Sequence, residues 1–84
     1  MFMEHYVYIL FSDNHNVFYK GYTTNPEKRL EEHNQNKSRY TKGKGPWKLV
    51  FTKRFDTKSE ALKEELRLKK LNRASIENII AQNS

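Results

Sequence analysis

The segment His5–Phe11 limits the possible folds of this chain more than any other feature. It reads His-Tyr-Val-Tyr-Ile-Leu-Phe, with aromatic and β-branched residues and no alternating polar residue. Such a strand is typically covered on both faces, as the central strand of a layered fold is. The 84 residues suffice for one small domain and not for a second core. We therefore expect a single domain over residues 1–84, with a core at about residues 5–71 and a C-terminal helix at about residues 73–81.

Turn and capping signals predict two further strands and three helices. The polar cluster at residues 12–16 is typical of a hairpin turn. Pro26 fits at the first position of a helix capped by Thr24 or Asn25, because its missing N–H needs no partner there. Residues 34–46 are polar and contain glycine, which predicts a long loop. We predict an α/β domain with a central three-stranded, largely antiparallel β-sheet flanked by α-helices. The strands are at residues 5–11, 17–20 and 47–55, and the helices run from 26 to about 33, from within 56–60 to about 71, and from 73 to about 80.

Composition excludes several classes of protein. The chain has no cysteine, which excludes disulfide bonds and thiolate zinc sites. No apolar run approaches the roughly 20 residues needed to cross a bilayer, and the N-terminus lacks the pattern of a signal peptide. We therefore expect a soluble, cytoplasmic protein without membrane contact. Sixteen Lys and Arg against ten Asp and Glu give a net charge of +6, which favours a polyanionic partner.

The positive charge is concentrated between residues 33 and 55, which contain seven basic residues and no acidic one. Tyr40 and Trp47 lie among these cations, and such rings can stack on bases while the charges follow phosphates. Both rings are also compatible with a core position, and the basic run with a solvated surface. We expect the partner of this protein to be nucleic acid, and DNA rather than RNA. The predicted contacts are Lys20, Lys37, Arg39, Tyr40, Lys42 and Lys44.

One carboxylate lies at an unusual position on the predicted second helix. On a wheel of 100° per residue with Ala61 at zero, Glu65 falls at ~40°, in the middle of an apolar stripe that includes Leu62 and Leu66. Burying a carboxylate there is costly unless it meets a cation, a hydrogen-bond donor or a metal ion. Lys69, one turn later, offers an ion pair, and that pair does not exclude a metal ion.

Two further groups of residues have spacings that could place them in one site. Arg29 and His33 lie one turn apart on the predicted first helix, so both can address one anion, although surface pairs often have this spacing. Tyr6 and Tyr8 share a face of the first strand, and Tyr19 can oppose that face across the hairpin. Tyrosine clusters of this kind are usually part of a core. None of these features identifies an enzyme by itself.

Taken in order, these residues resemble the motifs of the GIY-YIG nuclease superfamily over nearly the whole chain. Tyr6-Val7-Tyr8 stands where the family has Gly-Ile-Tyr, and Tyr19-Lys20-Gly21 stands where it has Tyr-Ile-Gly. Arg29 follows eight residues after that glycine, and His33 comes one turn later. The later helix resembles the family's glutamate-bearing helix, with the metal-binding glutamate at Glu65. The likeness is to small stand-alone bacterial members and to the N-terminal nuclease domain of the incision protein of excision repair.

The chain departs from the family motifs at two positions. The glycine of the first motif is Tyr6 here, and the isoleucine of the second is Lys20. The resemblance implies an endonuclease that hydrolyses phosphodiester bonds with one divalent cation, Mg²⁺ or Mn²⁺, in DNA repair or processing, alone or with other repair proteins. The alternative is a nucleic-acid-binding module that retains the fold without cleavage. A purely structural role leaves the ordered motif residues unexplained. The implied catalytic residues are Tyr8, Tyr19, Arg29, His33 and Glu65.

The resemblance also implies roles for these residues. Glu65 would hold the metal ion, and the planar fork of Arg29 would stabilise charge on the phosphate. Tyr8 or Tyr19 would activate the attacking water, which requires nearby cations such as Lys20 or Arg29 to lower the tyrosine pKa well below about 10. The histidine would orient that tyrosine or the water.

Overall fold

The computed structural model describes residues 4–83. Three strands form one antiparallel sheet in the order β2-β1-β3, so the first strand is central. This confirms the predicted α/β fold with a three-stranded sheet and three helices. The elements are β1 (His5–Ser12), β2 (Val17–Thr23), α1 (Pro26–Asn34), β3 (Trp47–Phe55), α2 (Lys58–Lys69) and α3 (Arg73–Gln82). Within the described residues, each helix falls short of the length and hydrophobicity that a membrane span requires.

The central strand is covered on both faces, as its composition predicts. Val7 and Ile9 point to one face, where they pack against α2 and α3. Tyr8 and Leu10 point to the opposite face, where they pack against Trp47 and against α1. We call this second side the tyrosine face. The four strand residues from Val7 to Leu10 are almost completely buried. The strand therefore contributes to two small hydrophobic cores, one formed with α2 and α3 and the other formed with α1.

Side-chain caps define where the helices begin. Asn25 accepts a hydrogen bond from the Lys28 backbone N–H, and Thr57 caps α2 in the same way. Each such cap is typically worth about 1 kcal/mol. Asn72 caps α3, and α2 therefore ends at Lys69, two residues before the predicted Leu71. β2 extends three residues beyond its predicted end, because its pairing with β1 continues to Thr23.

The loop between α1 and β3, residues 35–46, is fixed at both ends by asparagine side chains. The Asn34 carboxamide accepts a hydrogen bond from the Trp47 backbone N–H at 2.6 Å and donates one to the Trp47 carbonyl at 3.1 Å. The Asn36 carboxamide accepts one from the Gly43 N–H at 3.0 Å. On its other side, the loop accepts a hydrogen bond at the Lys44 carbonyl from the Ser12 hydroxyl. The loop therefore has a defined position over the tyrosine face.

Candidate active site

A chain of three hydrogen-bonded side chains lies in the interior of the tyrosine face. The Tyr8 hydroxyl oxygen is 3.0 Å from His33 Nε2, and His33 Nδ1 is 2.6 Å from Thr41 Oγ1. The three residues come from β1, α1 and the loop, and none is more than 1% exposed. The fold thus joins three elements that are separate in sequence through one histidine ring.

Gly21 makes room for the ring of Tyr8. The two residues are directly opposite each other in the β1–β2 ladder, so their side chains point to the same face. A Cβ atom at position 21 would lie 2.5 Å from the Tyr8 hydroxyl oxygen and 2.6 Å from Cζ. The glycine that the family motif shows at this place therefore has a steric reason in this chain.

Tyr19 and Trp47 complete the aromatic surroundings of the histidine. The Tyr19 ring centroid is 4.9 Å from that of His33, 6.3 Å from that of Tyr8 and 6.5 Å from that of Trp47. Trp47 is buried in the core, and its indole N–H donates to the Thr41 carbonyl at 3.3 Å. For Tyr40 and Trp47 in the basic segment, the sequence left open a core position or a role in stacking on bases. Trp47 is a core residue.

Arg29 lies at the rim of the same site, one turn before His33. Its guanidinium is 3.2 Å from a Glu32 carboxylate oxygen and its side chain is 32% exposed. Its positive charge also acts electrostatically on the Tyr8 hydroxyl and opposes the rise in the pKa of that tyrosine. The predicted pairing of Arg29 with His33 on one helix face is thus realised, with the arginine at the rim and the histidine inside.

Burial dominates the protonation of the two interior residues. It raises the pKa of Tyr8 to about 12; the Arg29 guanidinium opposes the rise, and Tyr19 and Glu65 add to it. Burial, followed by the Arg29 charge, lowers the pKa of His33 to about 4. At neutral pH the tyrosine therefore keeps its proton and the histidine is uncharged. For the protein without a bound metal ion or nucleic acid, the expectation that nearby cations hold the pKa of Tyr8 below 10 is therefore wrong.

Lys20 lies on the other side of the sheet from the site. It is opposite Ile9 in the strand ladder, whereas Tyr19 is opposite Leu10. Because cross-strand pairs share a face, the lysine side chain points towards α3 and lines a surface depression there with Leu71. The expectation that Lys20 lowers a motif tyrosine pKa is therefore wrong, and its contact with nucleic acid stays a prediction that this geometry does not favour.

Glu65 is at the edge of the buried stripe of α2 and not at its middle. Ala61 and Leu68 are fully buried, but Leu62 and Leu66 are 40% and 55% exposed. The helical wheel includes these two leucines in the apolar stripe, which moves the centre of the stripe towards the glutamate. The reason for the difference is that a three-stranded sheet covers only a narrow face of the helix.

The surroundings of Glu65 fit a metal ligand at the rim. Its carboxylate is 3.5 Å from the Lys69 ammonium group, with the side chain 19% exposed, and it acts electrostatically on Tyr8. Within residues 4–83, no cluster of three His, Cys, Asp or Glu side chains could enclose a metal ion. One accessible carboxylate suits Mg²⁺ or Mn²⁺, which retain waters and take substrate phosphate oxygens. Both the predicted ion pair and the predicted metal ligand are compatible with this geometry.

The basic loop presents its charges to solvent. Lys37, Arg39, Lys42 and Lys44 are exposed, and within residues 4–83 none of them has a carboxylate at salt-bridge distance. Tyr40 is 77% exposed. By contrast, Lys48 in β3 is paired with Asp13 at 2.9 Å. The same loop that supplies Thr41 to the site thus combines these cations with an exposed aromatic ring.

Sequence reasoning did not identify Thr41 or the steric role of Gly21. Thr41 lies in a polar loop between Tyr40 and Lys42, and a loop has no periodicity that would separate an inward side chain from an outward one. The signal available for Gly21 was its place two residues after Tyr19 in a strand, where glycine marks a close approach of another group.

Comparisons with known proteins agree with this site. The family model described as the GIY-YIG catalytic domain matches residues 4–78. A UPF0213 protein of Natronomonas pharaonis is 45% identical over 82 residues, covering 96% of this chain and 95% of its own. A UPF0213 protein of Oceanobacillus iheyensis is 46% identical over 71 residues, covering 83% of this chain and 81% of its own.

Two solved structures have the same fold. The solution NMR structure of a UPF0213 protein from Bacillus halodurans has a TM-score of 0.62 and 40% identity, and covers 95% of this chain and 85% of its own. A solution NMR structure from E. faecalis has a TM-score of 0.64 and 40% identity, and covers 94% of this chain and 84% of its own. These structures support the small α/β domain described above.

Proposed function

Because the chain belongs to the GIY-YIG family, we propose that it is an endonuclease that hydrolyses nucleic-acid phosphodiester bonds with one divalent metal ion. The observation that carries the proposal is the grouping of four side chains on the tyrosine face, with Glu65 of α2 near enough to act electrostatically on one of them, Tyr8. The four are Tyr8, Tyr19, Arg29 and His33. A nucleic-acid-binding module needs cations and aromatic rings, but it does not need a buried tyrosine–histidine pair flanked by an arginine and a carboxylate.

The rim residues would act on the phosphate. Arg29 presents a planar fork that can hold two phosphate oxygens. Its ion-pair partner Glu32 is partly exposed, so a phosphate could take the place of that carboxylate. Glu65 would hold the metal ion after release from Lys69. When bound, such an ion polarises a phosphate oxygen and makes a coordinated water more acidic. The arginine would then stabilise the negative charge that develops on the phosphate oxygens during attack.

The interior residues would position the attacking water. Tyr8 keeps its proton, so its hydroxyl orients groups by hydrogen bonding. Tyr19 is only partly buried and lies outside the hydrogen-bonded chain of Tyr8, His33 and Thr41, so its hydroxyl could contact water or substrate. We therefore favour Tyr19 over Tyr8 as the group that removes a proton from the water. The substrate we propose is DNA, in repair or processing within the cytoplasm.

The decisive experiment compares two adjacent glutamates of α2. Glu64 is as shielded as Glu65 and is bound to Arg67 by two hydrogen bonds of 2.6 and 2.8 Å. Wild type, Glu65→Gln and the control Glu64→Gln are incubated with duplex, branched and single-stranded DNA and RNA in Mg²⁺ or Mn²⁺. We expect cleavage by wild type and Glu64→Gln, and a loss on the order of 1000-fold in Glu65→Gln.

Binding measured in EDTA separates the two candidate functions. If all three proteins bind nucleic acid in EDTA and wild type cuts none of the substrates with either metal ion, the chain is a binding module. If Glu65→Gln cuts at the wild-type rate, the metal ligand is not Glu65. Isothermal titration of Mn²⁺ in the presence of uncleavable nucleic acid adds a direct test, because Glu65→Gln should lose metal affinity and Glu64→Gln should keep it.

A further inference from the structure

The solvent side of α2 carries two leucines that take no part in the steps above. Leu62 and Leu66 are 40% and 55% exposed, and their spacing of four residues makes them neighbours on the helix surface. Two exposed lysines, Lys63 and Lys70, lie on the same side, the second at the C-cap of the helix. We call these four residues the leucine–lysine face.

The leucine–lysine face contains no acidic residue. On a wheel of 100° per residue with Ala61 at zero, its four members fall between ~100° and ~200°, and the three glutamates of α2 fall outside this sector. Within residues 4–83, neither lysine of the face has a carboxylate at salt-bridge distance. Both charges are therefore available to an anionic partner.

We propose that the leucine–lysine face binds one strand of the substrate nucleic acid. The two lysines would contact phosphates, and the two leucines would pack against the sugars and bases between them, as apolar side chains do in other complexes with nucleic acid. The proposal rests on the proposed function in taking nucleic acid as the partner, but binding to this face does not require cleavage.

The position of the face beside the proposed metal ligand favours nucleic acid over other anionic partners. Leu62 lies three residues before Glu65, so the two side chains are neighbours on the helix. A substrate phosphate held near Glu65 would therefore place the adjoining nucleotides next to the leucines. The net charge of +6 also favours a polyanion.

A second copy of this chain is a poor occupant of the face. In a two-fold symmetric contact the same surface of both copies meets, so the lysines of one copy would lie against those of the other. Because the face has no carboxylate to compensate, this contact is repulsive. The partner must therefore supply the negative charge itself.

The salt dependence of binding tests the lysines. Wild type, Lys63→Gln, Lys70→Gln and the double variant are titrated with duplex DNA in EDTA, which prevents metal-dependent cleavage. Each single variant should reduce the slope of log affinity against log salt by about 0.9, and the double variant by about 1.8. Arg67→Gln is the matched control, because Arg67 is also exposed on α2 but is bound to Glu64 by two hydrogen bonds of 2.6 and 2.8 Å. Its slope should stay near that of wild type.

The double variant Leu62→Ala/Leu66→Ala tests the leucines. Alanine favours the helix and both leucines are exposed, so the variant should fold. We expect its affinity for DNA to fall about 5- to 30-fold because apolar contact area is lost, with the salt slope unchanged because no charge is lost. Val17→Ala is the matched control, since Val17 is 37% exposed but lies at the start of β2, and its affinity should stay near that of wild type.

Two results would overturn the proposal: a loss of slope in Arg67→Gln equal to that in the lysine variants, or normal DNA affinity in the leucine variant. If the leucine variant binds DNA normally but loses a wild-type dimer, or loses wild-type binding to phosphatidylserine vesicles, the face belongs to a second copy or to a membrane. A wild type that cuts nothing but shows the expected losses of slope and affinity would refute the nuclease activity and support the face. A wild type that cuts DNA, with slopes unchanged in the lysine variants, would support the nuclease activity and refute the face.

Discussion

The interior and the rim of the site are built in different ways. The interior residues Tyr8, His33 and Thr41 are at most 1% exposed and are joined across three elements. The rim residues Arg29 and Glu65 are partly exposed, and each is paired with a residue three or four positions later in its own helix. Such local surface pairs are typically worth less than about 1 kcal/mol. The interior is therefore set by the fold, whereas the rim charges have partners that a phosphate or a metal ion can replace.

After Glu65→Gln, the largest effect is expected from a second rim residue, in Arg29→Lys. The positive charge remains, so binding to nucleic acid should be nearly normal. The loss of two-point contact with the phosphate should cost about 2 to 4 kcal/mol in the transition state, which is roughly a 30- to 1000-fold slower single-turnover rate. Glu32→Gln is the matched control, because it removes the partner of the arginine and leaves the arginine itself. A proportional loss of affinity in Arg29→Lys would contradict a transition-state role.

The interior should show itself in the pH dependence of stability. The pKa of the buried His33 is lowered from 6.5 to about 4. Above pH 6.5 the histidine is neutral in both the folded and the unfolded protein, so the folded protein keeps its full stability. Stability is lost as the pH falls from 6.5 towards 4, because the unfolded chain takes up the proton first. The loss amounts to about 3 kcal/mol at 1.36 kcal/mol per pH unit. The groups that act on the ring electrostatically are Arg29, which lowers its pKa, and Glu32, which raises it.

Urea unfolding of wild type and His33→Gln at pH 7 and pH 4 measures this effect. Carboxylates titrate in the same range, so the difference between the two proteins carries the information. We expect the stability advantage of wild type over His33→Gln to shrink by about 3 kcal/mol between the two pH values. A pH-independent difference would mean that the histidine is accessible to water and that the interior of the site is not closed.

The sequence predicts the fold better than the site. The lack of polar residues at alternate positions in β1 correctly indicates burial on both faces, and the caps at Asn25 and Thr57 follow from residue type at the helix starts. These features depend on local spacing. The inward position of Thr41 depends instead on packing between a loop and a helix that lie apart in sequence, which no local pattern encodes.

Two expectations from the sequence are wrong for physical reasons. Lys20 was expected near the motif tyrosines, yet it follows Tyr19 directly in a strand, and the period of two places it on the opposite face. Glu65 was placed in mid-stripe because Leu66 was counted as buried. Leucine on a helix does not have to be buried, since much of a folded surface is apolar. The first error was avoidable from the sequence, and the second was not.

Gly21→Ala tests whether the interior tolerates any rearrangement. The added methyl would lie 2.5 Å from the Tyr8 hydroxyl oxygen, and the tyrosine ring is almost completely buried. We expect a loss of about 1 to 3 kcal/mol in the free energy of unfolding. Gly45→Ala is the control, because the nearest side-chain atom to its new Cβ is Asn34 Oδ1 at 3.4 Å and the change should be within about 0.5 kcal/mol. Equal stability of the two variants would show that the tyrosine face is loosely packed.

The smallest effect per residue is expected on the outer side of the loop. If Lys37, Arg39, Lys42 and Lys44 contact phosphates of duplex DNA, replacing all four by glutamine should reduce the slope of log affinity against log salt by roughly 3 to 4. Lys42→Gln alone should then reduce the slope by about 0.9.

Lys48→Gln is the matched control, since Lys48 is also exposed but is paired with Asp13, and its slope should stay near that of wild type. If Lys48→Gln reduces the slope as much as Lys42→Gln does, the loop lysines make no specific phosphate contacts. The positive charges of the surface would then attract nucleic acid in general.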